Sequence, residues 1–138
     1  MSYTILVIED NPINLELVTD LLEASGFIVC DARTAEEGLR LAQKISFDLV
    51  LMDLSLPGMD GLAATKVLKS LAATSHLPVI ALTAHAMRGD EDIARSAGCD
   101  GYLTKPIDTR AFATKVAGFL TATNSRLVKS QAALKEKG

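Results

Sequence analysis

Five residues that could do chemistry follow apolar stretches of the sequence, at points where strands would end. The run from Phe47 to Met52 stops at Asp53, and polar residues follow three further apolar runs: Glu9 and Asp10, Thr83, and Lys105. The carboxyl ends of parallel strands meet at one edge of a sheet. We therefore expect these side chains to surround Asp53.

Three of these residues are carboxylates, which would repel one another at close range and titrate anomalously without a cation. Hard cations such as Mg²⁺ prefer oxygen ligands. The sequence thus predicts a divalent metal site at Glu9, Asp10 and Asp53. Two alternatives stay open. Glu9 and Asp10 could merely stabilise the start of the following helix, because carboxylates are favoured near its positive end, and Asp53 could be a solvated loop carboxylate.

Asp53 is also a candidate nucleophile, because a carboxylate can form an acyl phosphate when a metal and a cation neutralise the phosphoryl oxygens. Lys105 offers a point charge with three donors, and the Thr83 hydroxyl can hydrogen-bond a new phosphoryl oxygen. Lys105 precedes Pro106, so the peptide bond between them can be cis. Taken singly, Thr83 could be a strand-end cap and Lys105 an exposed surface lysine.

Strand and helix signals alternate five times along the chain. Apolar runs predict strands at residues 4–8, Phe27–Cys30, residues 47–53, Val79–Leu82 and Gly101–Leu103. Helix starts are predicted at Asn11 with Pro12, at Thr34 with a capping-box Glu37, and at Asp108. Continuous apolar strands alternating with helices indicate a parallel sheet covered on both faces, a doubly wound α/β fold.

The segment from Ala86 to Ala97 differs from the other predicted helices. It is rich in charge and glycine, and Ile93 is its one large aliphatic residue. Few apolar contacts mean weak packing stabilisation, so we expect this helix to be the most mobile one.

Length and composition narrow the function classes. The 138 residues suit one domain, no apolar run approaches a membrane span, and the N-terminus lacks a signal-peptide pattern, so a cytoplasmic protein without membrane contacts is expected. Cys30 and Cys99 lack metal-ligand spacing and are expected to be free thiols. The net charge of −3 combines an acidic body with a basic segment at residues 121–138, a pattern that argues against a nucleic-acid groove.

The motifs together resemble the response-regulator receiver domain of two-component signalling. They are Glu9-Asp10 after the first strand, Asp53 after the third, Leu56-Pro57-Gly58-Met59-Asp60-Gly61, Thr83-Ala84 after the fourth, and Lys105-Pro106 after the fifth. The resemblance implies a flavodoxin-like (βα)5 fold with strand order 2-1-3-4-5. The resemblance covers about residues 3–122, and it implies a receiver domain at residues 1–122 followed by a polar, basic tail at residues 123–138.

The resemblance also implies roles for individual residues. Asp53 is similar to the phosphoacceptor, and Glu9, Asp10, Asp53 and the backbone carbonyl of Ser55 would hold Mg²⁺. Thr83 and Tyr102 correspond to the switch pair, and Lys105 would contact the phosphoryl oxygens. The run from Thr83 to Glu91 is similar to receivers in hybrid kinases and in single-domain cell-division regulators.

By this resemblance the chain is expected to be a single-domain response regulator rather than an enzyme, although it could catalyse its own phosphorylation and dephosphorylation. The phosphoryl group would come from a histidine kinase, a histidine phosphotransfer protein or a small donor, and the signal would pass to a protein target. Two alternatives remain: a receiver fragment of a hybrid histidine kinase, and an aspartate-nucleophile phosphatase. The phosphatase family has a second Asp where this sequence has Ser55, which counts against it. A flavodoxin-like cofactor carrier is disfavoured by the acidic first turn.

Two further expectations concern regulation. In this family the lifetime of the phosphorylated form depends on the positions of Ser55 and His85, and an intermediate lifetime is predicted. The output surface is expected at residues 84–97, the fifth strand and the last helix, with Tyr102 reporting the state of Asp53.

Overall fold

The computed structural model describes residues 3–54, 61–83 and 90–120. Within these ranges strands alternate with helices. The strands are β1 (Thr4–Ile8), β2 (Ile28–Ala32), β3 (Leu49–Asp53), β4 (Val79–Thr83) and β5 (Gly101–Thr104). The helices are α1 (Pro12–Ala24), α2 (Ala35–Lys44), α3 (Gly61–Ser70), α4 (Asp90–Ala97) and α5 (residues 112–120).

The five strands form one parallel sheet in the order β2-β1-β3-β4-β5. The order confirms the doubly wound, flavodoxin-like fold that the sequence predicts. The chain moves from β1 outward to β2 and then returns to β3 on the other side of β1. The carboxyl ends of β1 and β3 therefore flank the point where the strand order reverses, which is where such folds bind ligands.

Alternate residues of each strand contribute to two separate cores. Ile5 and Val7 of β1 pack with α1 and α5, while Leu6 and Ile8 pack with the core that includes residues of α2, α3 and α4. Successive side chains of a strand point to opposite faces. Both faces are covered, which explains why β1, β3 and β4 are continuous apolar runs rather than alternating ones.

The helix starts predicted at Asn11 and Thr34 are observed, whereas α5 begins at residue 112, after a turn that follows Asp108. The Asn11 side chain accepts hydrogen bonds from the backbone N–H groups of Ile13 and Asn14 at 2.9 and 3.1 Å. Thr34 Oγ1 accepts from the Glu37 N–H, but the Glu37 carboxylate accepts from the N–H of Arg33, at 3.4 Å, rather than completing the predicted capping box with Thr34. Asp108 accepts from the N–H of Arg110 ahead of α5.

The strand boundaries differ most at β2, which begins one residue later than predicted and extends two residues further, while β3 begins two residues later than predicted. Its last residues, Asp31 and Ala32, pair in register with Val7 and Ile8 of β1. Pairing with β1 extends the strand beyond its apolar run, an effect of tertiary structure that local sequence does not encode.

The described part of the predicted weak helix, α4, is held to the core by small residues. Ala94 and Ala97 are buried, whereas Ile93 is 51% exposed. Asp100, which follows α4 in the chain, makes two polar contacts. Its Oδ2 accepts a hydrogen bond from Lys69 Nζ at 2.7 Å and another from the Val79 N–H. Few large apolar contacts agree with the predicted weak packing of this helix.

Three further sequence predictions concern the cysteines, contact with a membrane, and segments that lie outside the described residues. Cys30 and Cys99 are free thiols, as predicted. Within the described ranges, none of the helices combines the length and apolarity needed to cross a lipid bilayer. The basic tail, the Leu56–Asp60 turn and the start of the predicted helix at residues 86–89 lie outside the described residues.

Candidate functional site

The side chains of Glu9, Asp53 and Lys105 meet at the carboxyl edge of the sheet. Lys105 Nζ lies 3.2 and 3.1 Å from the two carboxylate oxygens of Glu9, and 3.2 Å from Asp53 Oδ2. Both carboxylates are buried, with exposed fractions of 0% for Glu9 and 2% for Asp53. One ammonium group thus bridges two carboxylates that the fold has removed from water. The Lys105–Pro106 peptide bond is cis.

Asp10 adds a third carboxylate on the solvent side of this pair. Glu9, Asp10 and Asp53 each offer an oxygen within 4.8 Å of the others, with Asp10 exposed and the other two buried. An all-oxygen set with one open side suits a hard divalent cation that keeps part of its water shell, as Mg²⁺ does. The three residues fit the magnesium site that the sequence predicts.

The electrostatics of Glu9 reflect the crowding of negative charge. Burial, followed by the hydrogen bond and the charge of Asp53, raises the pKa of Glu9 from 4.5 to about 7, against the opposing effect of Lys105. Near neutral pH the carboxyl group is therefore divided between its protonated and charged forms. A divalent cation would favour the charged form.

The alternation along the strands separates the charged residues from Thr83 and Tyr102. Asp53 follows the alternation of Leu49 and Leu51, on the α1 and α5 face, whereas Thr83 follows that of Val79 and Ala81, on the opposite face. Tyr102 is half-buried against that same opposite core. The hydroxyl and the aromatic ring thus share the face on which α4 lies, next to the edge that carries the charges.

The start of α3 approaches the backbone of Asp53 very closely. A Cβ atom at Gly61 would collide with the carbonyl oxygen of Asp53 and would lie 3.0 Å from the Cα of Leu54. Only glycine fits between α3 and the end of β3 without a shift of the backbone that carries Asp53. The second glycine of the turn cluster therefore has a packing role at the site.

Sequence reasoning missed one residue of the site, Asn14. Its side-chain amide donates a hydrogen bond to Glu9 Oε1 at 3.3 Å. The available signal was its place as the third residue of a helix capped by Asn11, where side chains reach back toward the preceding turn. Of the predicted site residues, Ser55 and His85 lie outside the described residues.

Fold and site together define a class: a flavodoxin-like sheet with a buried carboxylate pair, a third carboxylate and a bridging lysine at its carboxyl edge. The family model of the response regulator receiver domain matches residues 5–117. The chain belongs to this family, the receiver domains of two-component signalling. The family assignment agrees with the resemblance that the motifs carry.

Known proteins of the family resemble the chain along most of its length. The polar-differentiation response regulator DivK of Brucella ovis is 42% identical over 120 residues, which cover 87% of this chain and 98% of that protein. A CheY-like receiver domain protein from Methanospirillum hungatei superposes with a TM-score of 0.83 at 28% identity, covering 91% of this chain and 99% of the other.

A third relative has a known structure with a bound metal ion. The receiver domain of a sensor histidine kinase from Pseudomonas aeruginosa is 31% identical, with a TM-score of 0.77 over 88% of this chain and 97% of that chain. Its structure holds a magnesium ion in the active-site cleft. Similar proteins thus include both a single-domain regulator and a receiver from a sensor kinase.

Proposed function

We propose that Asp53 is the phosphoacceptor of this receiver domain, and that the chain works as a single-domain regulator whose contacts with a target protein depend on the phosphoryl group. The observation that carries the proposal is the Lys105 bridge: a buried aspartate at a strand end, paired with an ammonium group 3.2 Å away and neighboured by two further carboxylates.

The chain's own residues have distinct parts in the transfer. An oxygen of Asp53 attacks the phosphorus of a phosphohistidine, so that an O–P bond forms while the N–P bond breaks, and the electron pair of that bond goes to the imidazole nitrogen. The imidazole leaves in neutral form when its other ring nitrogen carries a proton. Lys105 turns from Asp53 to the transferred phosphoryl group, and the Thr83 hydroxyl donates to one of its oxygens.

Glu9, Asp10 and Asp53 would hold Mg²⁺, with the Ser55 carbonyl as a further ligand. When bound, the cation neutralises charge that develops on the phosphoryl oxygens. Glu9 is fully buried and Asp10 is exposed, so the three carboxylates extend from the protein interior to solvent, where an incoming group can approach.

The phosphodonor would be a histidine kinase or a histidine phosphotransfer protein. An exposed apolar residue supports a protein donor: Ile13, in the first turn of α1 and three residues after Asp10, is 76% exposed. A large aliphatic side chain in water beside the acceptor site suits contact with a partner that delivers its phosphohistidine there.

Output would pass through α4, β5 and α5. A groove of about 560 Å³ lies on this side of the molecule, lined by Tyr102, Leu103, Thr104, Lys115, Gly118 and Phe119. Tyr102 belongs both to this groove and to the face that carries Thr83, so a change at Thr83 has a short route to the surface.

Phosphorylation with Mg²⁺ and acetyl phosphate, read by intact mass, tests the assignment of Asp53. Wild type should gain one acid-labile phosphoryl group, and Asp53→Asn should gain none. Asp20→Asn, which removes an exposed carboxylate of α1, is the matched control and should react as wild type does. Undiminished labelling of Asp53→Asn would refute the proposal.

A further inference from the structure

We infer that Asn14 is a positioning residue for the metal site, which holds the carboxylate of Glu9 in the orientation that a divalent cation needs. The inference rests on the proposed function, because it concerns the magnesium site of the receiver. It adds a residue outside the carboxylates that would touch the cation.

Glu9 has a greater need for such support than a shorter acid would have. Its side chain has one more rotatable bond than aspartate, and its carboxylate is buried with no exposed surface. Lys105 contacts both of its oxygens, and the Asn14 amide donates to Oε1 at 3.3 Å, in addition to the hydrogen bond that Glu9 shares with Asp53. Each holds the carboxylate from a different element of the fold.

Asn14 is itself fixed by the start of α1. Its backbone N–H donates to Asn11 Oδ1 at 3.1 Å, which places it as the third residue of a capped helix. In a capping box the side chain at this position accepts a hydrogen bond from the N–H of the cap residue. Here an amide donor occupies the position and reaches past the cap to Glu9, so the first turn of α1 anchors a carboxylate that lies two residues before the cap Asn11.

Lys105 and Asn14, the two donors that contact Glu9, differ in how they respond to a second cation. The Lys105 ammonium repels a divalent ion and competes with it for the Glu9 oxygens. The Asn14 amide is neutral and donates to the same carboxylate without opposing the ion. Of these two contacts, the Asn14 amide is the one that can persist when the metal is bound, while the Lys105 contact is exchanged.

Mg²⁺ titration of the full chain by calorimetry tests this role. Asn14→Ala should weaken Mg²⁺ affinity by roughly tenfold, the scale seen when the partner of a metal ligand is removed. Asn14→Leu, which keeps the branched shape but not the donor, should weaken it to a similar extent. Gln43→Ala removes a side-chain amide that donates to the Leu39 carbonyl near the C-terminal end of α2, and it should leave the affinity unchanged.

A double-mutant cycle separates positioning from a general structural role. In Glu9→Asp the carboxylate is one methylene shorter and withdraws from Asn14, so adding Asn14→Ala should change the Mg²⁺ affinity less than twofold. Equal affinity for wild type and Asn14→Ala, or losses that simply add in the cycle, would overturn the inference while the magnesium site stands. Absence of Mg²⁺ binding by wild type would instead refute the proposed function and this inference with it.

Discussion

Lys105 and Asp53 form an ion pair across the carboxyl edge of the sheet, with the lysine ammonium nitrogen 3.2 Å from Asp53 Oδ2. The same nitrogen lies within 3.2 Å of both oxygens of Glu9. One cation therefore serves two buried carboxylates, and the metal-free protein depends on it for charge balance. Metal or phosphoryl binding must redistribute these contacts.

Replacing Lys105 by methionine should destabilise the metal-free protein by about 1–3 kcal/mol, because two buried carboxylates lose their cationic partner. Proton uptake by Glu9 offsets part of the loss. Urea unfolding with and without Mg²⁺ measures the effect, and Mg²⁺ should restore part of the stability. Lys115→Met, a change at an exposed lysine of α5, should change the stability by less than about 0.5 kcal/mol. Equal stabilities of the two variants would contradict the bridging role.

The raised pKa of Glu9 predicts how Mg²⁺ binding depends on pH. The folded protein holds the Glu9 proton up to about pH 7, whereas the unfolded chain releases it near 4.5. The contribution of Glu9 to metal-free stability is therefore fully present below about pH 4.5 and declines as the pH rises toward 7. Mg²⁺ needs the charged carboxylate, so its affinity should increase from pH 6 to pH 8.

The increase in melting temperature caused by Mg²⁺, recorded at pH 6 and at pH 8, measures this dependence. The increase should be larger at pH 8. In Glu9→Gln the decline of metal-free stability between pH 5 and 7 should be reduced. A stabilisation by Mg²⁺ that is the same at both values would show that Glu9 does not exchange its proton for the cation.

A methyl group at Gly61 should damage the site through the backbone rather than through charge. Gly61→Ala places a Cβ against the carbonyl oxygen of Asp53, so α3 or the end of β3 must shift. We expect a loss of about 1–3 kcal/mol in stability and slower labelling of Asp53 by acetyl phosphate. Gly118→Ala, in α5, meets nothing within 4 Å and should stabilise the protein by about 0.5–1 kcal/mol. Wild-type labelling by Gly61→Ala would show that the close approach is not needed.

Local sequence predicted the features that depend on the pattern of apolar residues and on neighbours in the chain. The apolar runs ending at Glu9, Asp53, Thr83 and Lys105 placed four strand ends, and parallel topology brought them to one edge. Asn11 caps α1 as predicted, because a side-chain cap needs only its neighbours in the chain, whereas Asp108 accepts from the Arg110 N–H in the turn that precedes α5.

Contacts that depend on the distance between elements could not be predicted in this way. The bonds from Asn14 to Glu9 and from Lys69 to Asp100, and the approach of Gly61 to Asp53, follow from how helices settle on the sheet. The extension of β2 to Ala32 similarly depends on pairing with β1. A polar residue such as Asn14 on a half-exposed helix turn gives no sign in the sequence of which carboxylate it meets.

The last prediction concerns the coupling of Asp53 to the face of α4. Thr83 ends β4 and pairs in register with Thr104 of β5, while Tyr102 of β5 packs on the core that Ala94 of α4 completes. Because α4 buries only small side chains in its described part, it can shift at little packing cost. A hydrogen bond from Thr83 to a phosphoryl oxygen supplies the differential interaction that such a shift needs.

Beryllofluoride, a phosphoryl mimic, should therefore cause amide chemical-shift changes that extend from Asp53 through β4 to α4 and β5. In Thr83→Ala the changes around Asp53 should persist, while those in α4 and at Tyr102 should be lost. Thr104→Ala removes an exposed threonine that pairs with Thr83 in the sheet. This variant should keep all of the chemical-shift changes, because the phosphoryl group is expected to hydrogen-bond to Thr83 and not to Thr104. Changes confined to the neighbourhood of Asp53 in wild type, or unchanged coupling in Thr83→Ala, would remove Thr83 from the switch and leave Asp53 as the phosphoacceptor.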